Sequence, residues 1–203
     1  MPTFEIREDE HGIGDVLIPR DTWSESIMEH MRKNGIEALR LSESFGFRGD
    51  DLSFLSSLSF LRSLEIYCWD AGGVNHLESL TELEVLGLQF KTKRKIDFSK
   101  LNKLRVFKAT WTKGMASVLQ LRCIEHLNIR NYPFEDLQPL QHMLDLRRLQ
   151  LTSAKLENLL GIENLKSLSE LDLYNCPRLV SVAGVDGLPD LNLELETCNA
   201  IDT

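Results

Sequence analysis

No run of apolar residues in the chain approaches the roughly 18 needed to cross a bilayer, which excludes a membrane-spanning helix. The N-terminus, MPTFEIREDEHG, has no basic start followed by an apolar stretch, so no secretory signal is read and a cytoplasmic location is expected. The four cysteines, Cys68, Cys123, Cys176 and Cys198, form neither a C-x-x-C pair nor a cluster with histidine, which argues against zinc. No glycine-rich phosphate loop is present; Gly72-Gly73 reads as an ordinary turn. The histidines, His11, His30, His76, His126 and His142, are scattered. Cys123 and His126 are close in sequence but fall on opposite sides of their repeat. No two carboxylates share a recessed apolar position, as general acid–base pairs require. The expectation is a protein with no catalytic residues, no cofactor and no metal, hence not an enzyme.

A repeat is what the chain does have. From Ile36 onward, apolar residues return in the pattern Leu-x-x-Leu-x-Leu with a period close to 22. The copies are Ile36/Leu39/Leu41, Leu61/Leu64/Ile66, Leu83/Leu86/Leu88, Leu104/Phe107/Ala109, Ile124/Leu127/Ile129, Leu146/Leu149/Leu151 and Leu168/Leu171/Leu173, with Leu191/Leu193/Leu195 one residue short. A fixed period of about 20–29 residues with this spacing signals a solenoid in which each repeat buries its leucines against its neighbours. The predicted fold is α/β: one short parallel strand per coil, near 39–41, 64–66, 86–88, 107–109, 127–129, 149–151, 171–173 and 193–195, forming a curved sheet. Apolar residues at every third position between strands, such as Leu77, Leu80 and Leu83, predict single 3₁₀ turns on the convex side.

Segments such as LESLTELEVLGL (77–88) and GIENLKSLSELDL (161–173) resemble the 22-residue repeats of bacterial leucine-rich proteins, including the internalins. The resemblance covers about 160 residues, Ile36 to Cys198, and implies the leucine-rich repeat fold without implying a ligand. The family usually places asparagine three residues after the last leucine of the motif. Here that position reads Ser44, Trp69, Lys91, Thr112, Tyr132, Ala154, Cys176 and Cys198, so the asparagine ladder is absent.

Residues 1–35 do not fit the repeat. Thr3–Ile6 and Val16–Ile18 predict a hairpin around HGIG, followed by a helix capped by Asp21 or Thr22, carrying Trp23, Ile27, Met28 and Met31, and ended by Asn34-Gly35. This unit is expected to cap the open end of a solenoid of about eight coils over 36–203, the whole forming one structural domain. The spacing of 25 between the first two coils puts extra residues in Phe45–Asp50, a predicted protruding loop. Cys176 and Cys198 occupy equivalent positions of adjacent coils. At a strand spacing of about 4.8 Å a disulfide is conceivable, although a reduced, buried pair is expected in the cytoplasm.

Net charge is −8, unevenly spread: residues 1–35 hold eight acids and four bases, 91–113 nine bases and one acid, and 156–203 nine acids and two bases. Overall acidity argues against nucleic acid as the main ligand, KTKRK (91–95) being a weak basic patch. On the concave face, Tyr67, Phe90 and Trp111 fall in consecutive coils, flanked by Val85, Gly87 and Val106. They predict an aromatic patch of the kind that anchors a protein partner, with Lys108, His126, Arg130 and Arg148 as a basic cluster beside it and Tyr174 further along. The functional expectation is a monomeric, non-catalytic scaffold that recognises another protein. One form that size and charge suit is an immunity protein neutralising a bacterial toxin; an accessory or regulatory subunit of an enzyme, or an intracellular effector, fits the same features.

Overall fold

The structure is a computed structural model that describes residues 3–69, 72–90, 92 and 94–200. Lys91 and Lys93 of the basic run lie outside the described residues. The chain divides into two compact units, Met1–Leu104 with Thr112–Met115, and Arg105–Trp111 with Ala116–Thr203.

The first unit begins with β1 (Phe4–Glu8) and β2 (Asp15–Pro19), an antiparallel hairpin in which Ile6 faces Leu17. Both strands are longer than the sequence pattern suggests. The helix α1 (Glu25–Asn34) follows. Its N-cap is Ser24, without a side-chain cap bond, rather than Asp21 or Thr22. Gly35 ends it at φ 63°, a left-handed value that glycine adopts at little cost. Ile27 and Met31 are buried, while Trp23 precedes the helix and stacks on Phe54 at 4.3 Å. Then come β3 (Ala38–Ser42), β4 (Ser63–Tyr67) and β5 (Val85–Leu88), each parallel to the strand before it, with β3 parallel to β2. Leu39 pairs with Leu64, and Leu64 with Leu86, so the hydrogen-bond register is the repeat register. The extra residues of the first coil do not all protrude: Phe47 is buried.

The second unit holds β6 (Val106–Thr110), β7 (His126–Arg130), β8 (Arg148–Thr152), β9 (Glu170–Tyr174) and β10 (Asn192–Glu196), each parallel to its neighbour in chain order. Phe107, Leu127, Leu149, Leu171 and Leu193 stand in one row. Strands therefore contain every predicted triplet and extend it by one residue on each side, except β5, which ends with its triplet at Leu88.

Alternation along each strand puts one set of side chains inside. Leu39, Leu41, Leu64 and Ile66 are fully buried in the first unit, and Phe107, Ile129, Leu149 and Leu171 in the second. Short 3₁₀ turns close the coils, as at Ser53–Ser57 and Ile162–Asn164. They repeat one device: Leu58 N–H donates to Leu55, Leu61 to Leu58, Leu165 to Ile162 and Leu168 to Leu165. A residue every third position thus faces inward, which explains the three-residue apolar spacing. Fully burying a leucine stabilises by about 1.5–3 kcal/mol, so these rows are the main stabilising element. Coverage fails at β10, where Leu195 is 42% exposed although its counterpart Leu173 is buried.

Candidate recognition surface

The side of the strands opposite the leucine rows carries the polar residues, and it differs between the two units.

In the first unit this face is built over. Glu65, the central residue of β4, is 2% exposed yet ionisable. Arg40 from β3 brings Nη2 to 2.5 Å from one of its carboxylate oxygens, and the Tyr67 hydroxyl donates to the other at 2.7 Å. Gly87 of β5 makes room: a Cβ there would lie 3.0 Å from the Glu65 side chain and 3.2 Å from the Tyr67 hydroxyl. The turn of the β1–β2 hairpin reaches the same face. Glu10 stands 3.6 Å from Arg40, and the buried Asp9 accepts from Ser63 at 3.3 Å and from the His11 and Ile13 amides. Burial works to lower the Arg40 pKa, but the Glu65 charge and hydrogen bond outweigh it and raise it. Burial, then the neighbouring Glu65 charge, pushes the Tyr67 phenol well above its ordinary value, so Tyr67 is a hydrogen-bond donor throughout the physiological range.

The sequence places Tyr67, Phe90 and Trp111 together as exposed anchors; their surroundings differ from that expectation. Phe90 is 2% exposed and belongs to the core. Its position has the parity of Leu86 and Leu88, so alternation carries it inward rather than onto the polar face. Tyr67 is half-buried and tied to Glu65. Trp111, in the second unit, shares the inward parity of Phe107 and Ala109. It is half-buried and meets Phe134 edge-on at 5.8 Å, and Phe134 in turn packs against the buried Tyr132.

The second unit presents an open polar face. Its central row is Lys108, Asn128, Gln150, Asp172 and Glu194, one residue per strand. Asn128 donates to Gln150 at 2.9 Å, and Gln150 donates to Asp172 at 2.7 Å, so the amides form a ladder that ends on a carboxylate. Beside it, His126, Arg130 and Arg148 are exposed on β7 and β8, and Arg148 forms an exposed ion pair with Glu170 at 2.6 Å. On β9 and β10, Asp172, Tyr174, Glu194 and Glu196 line a groove of about 380 Å³, with Tyr174 50% exposed. Charge therefore changes sign across the face, from cationic on β6–β8 to anionic on β9–β10. The aromatic and basic residues on which the sequence expectation rests do not point to this groove; the acids at 172, 194 and 196 are the signal in the sequence that does.

Ser153 donates to the Tyr132 carbonyl at 2.8 Å and accepts from the Lys155 and Leu156 amides. Cys176 and Cys198 donate weakly to the carbonyls of Tyr174 and Leu173. Among the described residues there is no group of three or more His, Cys, Asp or Glu arranged to hold a metal ion, and no helix long and apolar enough to cross a membrane.

One short parallel strand per repeat, leucines in register and 3₁₀ turns closing the coils define a leucine-rich repeat solenoid. Solved structures with this fold are similar to the chain. They include a leucine-rich repeat protein of Leptospira interrogans (TM-score 0.58, 19% identity, 89% of this chain and 53% of that one). Internalin F of Listeria monocytogenes aligns at TM-score 0.54 and 17% identity, over 83% of this chain and 53% of that one. Internalin C2 of the same organism aligns at TM-score 0.51 and 20% identity, over 68% of this chain and 61% of that one. The chain thus spans between about half and three fifths of these structures. No protein-family model and no curated protein matches it.

Proposed function

We propose that the chain is a non-catalytic recognition module that binds another protein on the strand face of its second unit. The observation that carries this reading is the open, bipolar face of β6–β10: Lys108, His126, Arg130 and Arg148 at one side, and the groove of Asp172, Glu194 and Glu196 around the exposed Tyr174 at the other. A half-exposed tyrosine in a groove is the kind of anchor that dominates protein interfaces, and flanking charges of both signs steer and orient a partner. Trp111 supports the rim through its contact with Phe134. Tyr67 is assigned a contact of its own on the first unit, through the ring rather than the engaged hydroxyl. Residues 1–35 are assigned the capping role for the first coils.

Within this reading, a cytoplasmic immunity protein that neutralises a toxin is favoured by the net charge of −8 and by the acidic rows, which complement a basic nuclease. A toxin reading frame beside the gene would favour that role; co-purification with an enzyme would favour a regulatory subunit. The test is a photo-crosslinking amino acid placed in the native cell at 174, at 130 and, as a control, at the exposed Leu160 outside the strand face. One protein crosslinked from 174 and 130 but not from 160 is expected. Equal yields from all three positions, or none, contradict the reading.

A further inference from the structure

Cys176 and Cys198 occupy the same place in two successive turns. Tyr174 pairs with Glu196 in the parallel ladder, and the Asn175 amide extends the pairing by donating to the Glu196 carbonyl at 2.8 Å. Asn175 and Thr197 both take left-handed backbone conformations, at φ 52° and 57°. Two turns with the same backbone path, one coil apart, aim their next side chains the same way. Parallel strands lie about 4.8 Å apart, inside the Cα separations of about 4.4–6.8 Å that disulfides span. Both thiols turn to carbonyls of β9, Cys176 to Tyr174 and Cys198 to Leu173, which brings them to the same strand. Cys198 is partly accessible, while Cys176 is fully buried. Both are free thiols. Cys198 also sits on the coil whose Leu195 is 42% exposed, so its strand is less tightly held than β9, where Leu173 is buried.

We infer that Cys176 and Cys198 form a reversible dithiol–disulfide site, taking small-molecule disulfides as oxidant and clipping β9 to β10 when oxidised. The accessible Cys198 thiolate attacks one sulfur of the small disulfide; a mixed disulfide forms and one small thiol leaves. The Cys176 thiolate then attacks the Cys198 sulfur, the protein disulfide closes and the second small thiol leaves. Two protein thiols are oxidised and one small disulfide is reduced to two thiols. Burial, then the adjacent Cys198, pushes the Cys176 thiol up to about 11, so the closing step is the slow one near neutral pH. In a reducing compartment the pair rests as thiols, and the clip belongs to oxidising conditions.

The probe is glutathione disulfide, applied to the native protein carrying Cys68→Ser and Cys123→Ser, so that every titrating thiol belongs to the pair. Expected is the loss of both thiols, a peptide map joining the Cys176 and Cys198 peptides, and full recovery with dithiothreitol. Closure should accelerate by about tenfold per pH unit between pH 7 and 9, as the thiolate fraction rises. Wild-type protein, with all four thiols present, should give the same cross-linked peptide, which keeps the test valid if the double variant folds poorly. Cys198→Ser should abolish the reaction and leave Cys176 unmodified. Accumulation of a glutathione adduct on Cys198 that never closes, or closure onto a different cysteine in the wild type, would overturn the inference.

Discussion

Arg40 and Glu65 stand on adjacent strands with their charged groups 2.5 Å apart, and the carboxylate is almost wholly removed from water. This pair organises the polar face of the first unit. Removing one member of a buried pair leaves the other charge unpaired, a cost of about 3–5 kcal/mol. Glu65→Ala should therefore lower the unfolding free energy of the protein by about 3 kcal/mol in urea titration. Glu10→Ala, which removes only the exposed carboxylate 3.6 Å from Arg40, should stay within about 0.5 kcal/mol of wild type. Similar losses for both variants would contradict this division of roles.

Leu149 and Leu171 are paired in register and fully buried. Each should lose about 2–5 kcal/mol on replacement by alanine, through lost burial and the cavity left behind. Leu160, 52% exposed, is the control and should lose little. Losses below about 0.5 kcal/mol at both core sites would contradict the observed register.

Alkaline pH should destabilise the fold. Burial pushes the Cys68 and Cys176 thiols up to about 11 from an ordinary 9.0, and raises the Tyr67 and Tyr132 phenols as well. In each case the folded state holds its proton more tightly than the unfolded chain. The stabilisation is complete below the unfolded values and is lost as pH rises through the folded ones. The urea midpoint should therefore fall from about pH 9 upward, and Cys68→Ala together with Cys176→Ala should flatten the early part of that fall. A midpoint that stays constant to about pH 11 would contradict the burial of these groups.

The strands were legible because leucines two apart and coils about 22 apart leave one register that buries every leucine row. The 3₁₀ turns were legible for the same reason, at a period of three. Phe90 lies two residues beyond Leu88, so the expectation that it faces outward runs against the alternation of the strand. Counting parity from Leu86 and Leu88 sends it inside. Trp111 fails in the same way, in part: it turns toward Phe134, a contact set by the conformation of the turn after β7 and not by any spacing. The contacts of Asp9 and Glu10 with Ser63 and Arg40 join residues far apart in the chain, and no local pattern encodes them. Ser24 takes the cap position in place of Asp21 or Thr22 without a side-chain cap bond, so no capping signal was there to be read in the sequence.

The most direct test of the proposed binding face is calorimetric titration of the captured partner against Tyr174→Ala, Arg130→Glu and Leu160→Ala, paired with thermal unfolding of each variant. Tyr174→Ala should weaken binding by at least about tenfold, or ~1.4 kcal/mol, with an unfolding temperature close to wild type, because its side chain is half exposed. Arg130→Glu should weaken binding and reduce its dependence on salt concentration, and Leu160→Ala should leave both unchanged. Wild-type affinity in both the Tyr174 and Arg130 variants would contradict a binding site on the β6–β10 face.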